Sequence, residues 1–115
     1  MASWKLKVRE GPRVQRERYD DAESALAAIE DRGSELQRSA RSGAIDLKVR
    51  TFEPVQQVTA RLELSGPGRV RAGVDVRGDG SAESWTGLLR RRLIEQRRGE
   101  SPYHALRRTI SVRAR

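Results

Sequence analysis

The chain has 115 residues, a formal net charge of +8 and no cysteine. A chain of this length folds as one domain with a thin core, and without cysteine it forms no disulfide, zinc–thiolate site or catalytic thiolate. His104 is the single histidine, so neither a transition-metal site nor a cofactor is expected.

Residues 4–10 and 13–19 form the first predicted element, a β-hairpin. In residues 4–9 apolar and basic residues alternate strictly, which is typical of a strand with one buried face. The Gly11–Pro12 dipeptide predicts the turn, and a two-residue loop then fixes the pairing of the two strands. That pairing gives the hairpin an apolar face and a basic face. The apolar face carries Trp4, Leu6, Val8 and Tyr19, and the basic face carries the opposed pairs Lys5–Arg18 and Lys7–Arg16.

A helix is predicted over residues 21–32. Asp20 or Asp21 begins it, because an acidic cap and an acid-rich first turn favour a helix start. Gly33 is expected to end or interrupt the helix, and a shorter second piece then runs to a stop at Gly43. The apolar stripe of this helix should cover the apolar face of the hairpin. It consists of Ala22, Ala25, Leu26 and Ile29.

Three strands are predicted next, over residues 45–49, 58–64 and 70–76, because apolar residues alternate in each. Residues 82–95 fit two structures. Trp85, Leu89 and Leu93 are spaced for one face of a helix, whereas the hairpin signal at Asp79–Gly80 favours a strand that returns and bends at Gly87. We favour the strand.

The last predicted element is a helix that starts at Ser101. Ser101 is its N-cap, and Pro102 suits the first turn. Tyr103, Leu106 and Ile110 form its apolar face. The elements together predict an α+β fold in a single domain over residues 1–115, an antiparallel sheet with helices packed on one face, in the order β-β-α-β-β-β-β-α.

Positive charge is concentrated at the two ends of the chain. Residues 1–19 carry a net charge of +4 and residues 85–115 carry +7, while residues 20–46 carry −4. Basic clusters attract nucleic acid, and like charges placed opposite each other in a hairpin cost stability. We therefore expect DNA or RNA to be bound, largely through phosphate contacts. The predicted contact residues are Lys5, Lys7, Arg16, Arg18, Arg90, Arg92, Arg97, Arg98, Arg107 and Arg108.

A second hypothesis is a protein-interaction or structural module with no nucleic-acid partner, whose charge serves only solubility. Convergence of the two basic ends on one side of the fold would favour nucleic-acid binding, and scatter would favour the second hypothesis. No catalytic residue set is visible, so an enzyme is not expected. The first residues lack the apolar segment of a signal peptide, and no stretch reaches membrane-spanning length. A cytoplasmic protein without a membrane partner is therefore expected.

Overall fold

Six antiparallel strands and two helices make up the described part of the chain. The computed structural model describes residues 3–46, 57–87 and 90–113. The strands are β1 (Trp4–Glu10), β2 (Arg13–Tyr19), β3 (Val58–Gly66), β4 (Val70–Arg77), β5 (Ala82–Thr86) and β6 (Arg92–Leu93), and the helices are α1 (Ala22–Asp46) and α2 (Pro102–Arg113). Within these residues no helix combines the length and the apolar character that a membrane span requires.

The strands form one sheet in the order β2-β1-β3-β4-β5-β6, and each strand is antiparallel to its neighbours. In the chain, α1 comes between β2 and β3. In the sheet, β3 pairs with the edge of β1 that β2 leaves free, so β1 is an interior strand. The register of the β1–β2 hairpin confirms the prediction, with Lys5 opposite Arg18 and Lys7 opposite Arg16. The two edges of the sheet are β2 and β6.

The core lies between one face of the sheet and the two helices. Trp4, Leu6 and Val8 alternate along β1 and are at most 6% exposed, because successive side chains of a strand point to opposite faces. The predicted burial of this hairpin face is confirmed, although Tyr19 is only half-buried. The opposite face of the sheet, turned away from both helices, is called the open face below. The remaining buried apolar residues of the core are Ala25, Leu26, Ile29, Ala60, Leu62, Leu64, Val70, Ala72, Val74, Val76, Tyr103, Leu106 and Ile110.

Helix α1 is longer than predicted, because Gly33 does not end it. The helix continues past both Gly33 and Gly43, so the predicted stop at each glycine is wrong. Gly33 is buried against α2, where an added Cβ would lie 2.3 Å from the hydroxyl oxygen of Tyr103. This glycine therefore permits the close approach of the two helices.

Gln37, one turn further along α1, joins three elements. Its Nε2 donates to the carbonyl oxygen of Gly80 in the β4–β5 turn at 2.9 Å. Its Oε1 accepts a hydrogen bond from the Tyr103 hydroxyl of α2 at 2.6 Å. The second half of α1 is therefore fixed by contacts with residues 43 and 66 positions away in the sequence, which explains why local glycine signals did not decide its length.

Both helices start at side-chain caps. Asp21 Oδ1 accepts a hydrogen bond from the backbone N–H of Ser24 at 2.7 Å, so Asp21 rather than Asp20 caps α1. The same hydrogen bond lowers the pKa of Asp21. Ser101 Oγ accepts from the backbone N–H of His104 at 3.1 Å, which confirms the predicted cap of α2.

The order of helices and strands matches the prediction, but the last four strands do not correspond one to one with the predicted ones. Residue 45 belongs to α1, so the strand predicted over 45–49 is wrong at its start, and residues 47–49 lie outside the described residues. A short alternation does not stop a helix that gains one hydrogen bond with each further residue. Residues 82–95 contain β5 and β6, with Gly87 at φ 135° after β5. This confirms the strand interpretation and the bend, with two strands in place of one.

Candidate nucleic-acid interface

The four basic residues of the hairpin lie together on the open face. Side chains of β1 point alternately to the core and to the open face, and paired residues of β2 point the same way as their partners. The residues on the open face therefore include Lys5, Lys7, Arg16 and Arg18. Lys7 is half-buried, and the other three are exposed. In the part of the chain that the structure describes, none of the four lies within 4.0 Å of a carboxylate oxygen. An anion can therefore approach these four charges without breaking an ion pair.

A groove of about 360 Å³ crosses this part of the open face, and Arg71 of β4 borders it. The strand register explains the position of Arg71, because Ser65 of β3 lies opposite both Lys5 and Arg71. Glu63 also lines the groove and forms ion pairs with Arg71 at 3.9 Å and with Arg91 at 3.2 Å. We call this site the basic groove. Its charged side chains on the open face are Lys5, Lys7, Arg16, Arg18, Arg71 and Glu63.

Glu17 borders the groove through its backbone position, but its side chain has other partners. The neighbouring residues of β2 alternate in direction, and Glu17 points to the helix side of the sheet. There its carboxylate accepts hydrogen bonds from Arg32 of α1 and from the Tyr19 hydroxyl. Burial, and secondarily the adjacent Glu17 carboxylate, raise the pKa of Tyr19 to about 12. The carboxylate of Glu17 is therefore paired on the helix side of the sheet and does not offset the positive charge of the groove.

Beyond the groove, the charges of the open face are largely paired. The Arg61 guanidinium contacts both carboxylate oxygens of Asp75, at 2.9 and 3.2 Å. Arg77 and Glu83 form a second pair at 3.0 Å. Both pairs join adjacent strands, Arg61 with Asp75 across β3 and β4 and Arg77 with Glu83 across β4 and β5. The excess positive charge is therefore on the β2–β1 side of the open face.

Trp85 lies on the open face and is nevertheless 2% exposed. Its ring lies over Gly73, its register partner on β4, where an added Cβ would be 2.5 Å from the ring. The Arg91 guanidinium covers the ring with its central carbon 4.5 Å from the ring centroid, a cation–π contact. The indole N–H donates to Asp75 at 3.0 Å. Both the face of the indole ring and its N–H group therefore have partners within the chain.

The predicted arginines of residues 90–98 lie away from the basic groove. Arg92 is on β6 and Arg90 precedes it, at the edge of the sheet opposite β2. Arg97 and Arg98 are exposed in the connection from β6 to α2. The groove reaches from β2 to Arg71 on β4, so β6 lies two inter-strand spacings, roughly 10 Å, beyond it.

Arg107 and Arg108 lie on α2 and form ion pairs within the chain. Arg107 pairs with Glu23 of α1 and, at 3.7 Å, with Glu30. Arg108 contacts both carboxylate oxygens of Glu100, at 2.8 and 2.9 Å. Hydrogen bonds from the Arg108 side chain, and then from the chain at residue 97, lower the pKa of Glu100 to about 2. These two arginines join α2 to α1 and to the segment before α2.

Arg71 and Arg91 were not among the predicted contact residues. Arg71 lies between the buried residues 70 and 72 and therefore points to the open face. This direction can be read from the sequence. Only the strand order, however, brings Arg71 beside Lys5. No pattern in the sequence indicates that Arg91 covers Trp85.

His104 is exposed on α2, as a surface histidine on a helix is expected to be. Across residues 3–46, 57–87 and 90–113, no three His, Cys, Asp or Glu side chains are grouped closely enough to hold a metal ion.

Comparisons of this chain with protein-family models, with curated proteins and with solved structures found no match.

Proposed function

We propose that this chain binds nucleic acid through the phosphate backbone, at the basic groove of the open face. The observation that carries the proposal is the charge of that groove, where five cationic side chains meet one carboxylate on the same face. The cations stand on three different strands, β2, β1 and β4, so the sheet holds them in a fixed array. Phosphates are the polyanions that such an array suits.

The arrangement of the hairpin also supports an anionic partner. Lys5 lies opposite Arg18 and Lys7 opposite Arg16, and like charges in directly opposed positions destabilise a sheet by a few tenths of a kcal/mol or more. A bound phosphate removes this repulsion and releases counterions from the nucleic acid. The unfavourable pairs of the free protein thus become favourable contacts in the complex.

We leave Arg107 and Arg108 out of the proposed surface. Both are engaged with acidic residues of the same chain, and a phosphate contact would have to break those ion pairs. Arg92 stands on the edge strand β6, Arg90 precedes that strand, and the exposed pair at 97–98 follows it, so none of these four lines the groove.

A protein-interaction or structural module with no nucleic-acid partner is the second candidate. The observation that favours it is the scatter of the ten predicted cations, which do not share one face of the fold. Nucleic-acid binding remains the preferred proposal because the hairpin residues and Arg71 do converge. We place this activity in the cytoplasm.

A salt-titrated binding assay tests the proposal. The ligands are a 20-base-pair DNA duplex, the matching RNA duplex and their single strands. With about five phosphate contacts, the slope of log K against log salt for duplex DNA is roughly −4.5, and the Kd at physiological salt is about 10⁻⁴–10⁻⁶ M. Absence of binding to every ligand at low salt would overturn the proposal in favour of the interaction module.

Two double variants locate the binding surface. Lys7→Gln with Arg16→Gln removes two charges from the groove and should flatten the slope by about two. Arg97→Gln with Arg98→Gln removes the same charge from the connection between β6 and α2, outside the groove, and should leave the slope unchanged. Equal flattening by both variants would mean that net charge, and not the groove, sets the affinity.

A further inference from the structure

The open face carries one large aromatic ring within the described residues, and the fold closes that ring. Proteins that bind single-stranded nucleic acid combine a basic groove with aromatic side chains on which the bases stack. Trp85 has the position for such a role, since it lies on the same face of the sheet as the basic groove. However, Arg91 stands 4.5 Å above the ring, and the ring is 2% exposed.

Two further contacts hold this closed arrangement. Arg91 donates to Glu63 at 3.2 Å, which anchors the guanidinium above the ring. The indole N–H donates to Asp75 at 3.0 Å, which fixes the plane of the ring over Gly73. Base stacking on Trp85 therefore requires loss of both the cation–π contact and the Arg91–Glu63 ion pair.

We infer that Arg91 makes the open face selective for base-paired duplexes, by closing Trp85 to base stacking while leaving the phosphate-binding cations exposed. This inference rests on the proposed function. A duplex keeps its bases stacked inside and presents its phosphates outward, one charge per roughly 1.7 Å of axis. The basic groove offers cations to the phosphates of a duplex, whereas the covered ring of Trp85 offers no surface on which the bases of a single strand could stack. Arg91 is thus a specificity-determining residue for the groove.

The size of the duplex preference follows from counterion release. The salt slope is about −0.9 per contact for a duplex and about −0.7 for a single strand, so five contacts give a duplex preference of roughly tenfold at 0.1 M salt. DNA and RNA duplexes share this chemistry, and the binding assay includes both.

Removing the cover should change the preference. Arg91→Ala opens the ring, and each stacked base then strengthens single-strand binding by roughly 5- to 150-fold. The ratio of duplex to single-strand affinity should therefore fall at least fivefold. Arg91→Lys retains the positive charge and loses the planar guanidinium, so its ratio should lie between those of the wild type and Arg91→Ala.

Arg71→Ala is the matched control, because Arg71 is also a cation of the open face that pairs with Glu63 but does not cover Trp85. It should weaken the binding of duplexes and single strands alike and lower their ratio by less than about twofold, which is the share of one phosphate contact. Acrylamide quenching of tryptophan fluorescence should increase in Arg91→Ala and stay at the wild-type level in Arg71→Ala.

The outcomes separate the inference from the proposal on which it rests. A wild-type protein that binds single strands as tightly as duplexes overturns the inference and leaves nucleic-acid binding intact. An unchanged affinity ratio in Arg91→Ala, with Trp85 shown to be open by quenching, also overturns it. A protein that binds no nucleic acid at low salt overturns the proposed function itself.

Discussion

At the scale of single residues, three aromatic rings occupy space that glycine leaves free, and the ring of Trp85 over Gly73 is one of them. Trp4 lies against Gly66, where an added Cβ would be 2.5 Å from the ring. Tyr103 lies against Gly33 in the same way, and burial raises the pKa of Tyr103 to about 12. Close contacts of this kind transmit the loss of one side chain directly to its neighbours, because protein interiors are packed as tightly as organic crystals.

Replacing Trp4 by Ala should lower the free energy of unfolding by about 3–5 kcal/mol, because loss of this large buried ring leaves a cavity in the core beside Gly66. Urea denaturation measures the loss. Lys5→Ala, at the neighbouring exposed position, is the control and should change the stability by less than about 0.5 kcal/mol. A loss below about 1 kcal/mol for Trp4→Ala would show that this packing is wrong.

Gly33→Ala should destabilise the protein, although the same change in an open helix is stabilising by up to about 1 kcal/mol. The added methyl group would collide with the Tyr103 ring, and overpacking of this kind costs about 1–3 kcal/mol. Ser39→Ala, at an exposed position of the same helix, is the control and should be neutral or slightly stabilising. A higher melting temperature for Gly33→Ala would contradict the close approach of the two helices.

At the scale of elements, polar side chains tie the helices to the segments beside them. Gln37 links α1 to the β4–β5 turn and to α2. Glu100 links the start of α2 to Arg108, almost two turns along the helix. The helix ends are thus fixed by contacts between elements as well as by their own caps.

The contact between Glu100 and Arg108 should make stability depend on acid pH. Hydrogen bonds from Arg108, and then from residue 97, lower the pKa of Glu100 from its ordinary 4.5 to about 2. The stabilisation is therefore complete above about pH 4.5 and is lost as the pH falls toward 2. Glu100→Gln should melt at a lower temperature than the wild type at pH 6, and most of this difference should be gone at pH 2, where the carboxyl of the folded protein is about half protonated.

Glu35→Gln is the matched control for this pH dependence. Glu35 is exposed on α1 and has no ion pair among the described residues. Its replacement changes the net charge equally and should leave the melting temperature close to that of the wild type at both pH values. If the melting-temperature difference of Glu100→Gln is as large at pH 2 as at pH 6, the carboxylate is not its cause.

At the scale of the whole molecule, the sheet separates two kinds of surface. One face is apolar and covered by α1 and α2, and the other carries the basic groove and the paired charges around Trp85. The hairpin contributes to both, because its alternate residues point to opposite faces. The same two strands therefore stabilise the core and present the positive charge.

Arg16→Gln should raise stability while weakening nucleic-acid binding. The change removes one member of the opposed pair Lys7–Arg16, so the free energy of unfolding should rise by a few tenths of a kcal/mol at low salt. The gain should disappear in 1 M salt, because exposed charges are screened there. Arg13→Gln is the control. Arg13 lies on β2, as Arg16 does, but its partner on β1 is Glu10, so its replacement removes an attraction and should lower stability.

Several elements could be predicted from the sequence because their signals are local. The alternation in residues 4–9 and the two-residue turn predicted six of the seven pairs of the hairpin register, all except Glu10–Arg13. Ser101 and Pro102 predicted the start of α2, and alternation located β3 and β4. The hairpin cations of the candidate groove were found in the same way.

Contacts between distant segments were decided only by the tertiary structure. The continuation of α1 through Gly33 depends on Tyr103, the place of Arg71 beside Lys5 depends on the strand order, and the cover of Trp85 depends on Arg91. The sequence by itself determined the α+β class, the hairpin register and the two faces of the sheet, because side-chain direction in a strand alternates with every residue. It did not determine which cations share a surface, because their neighbours come from strands and helices far apart in the chain, and only packing brings these together.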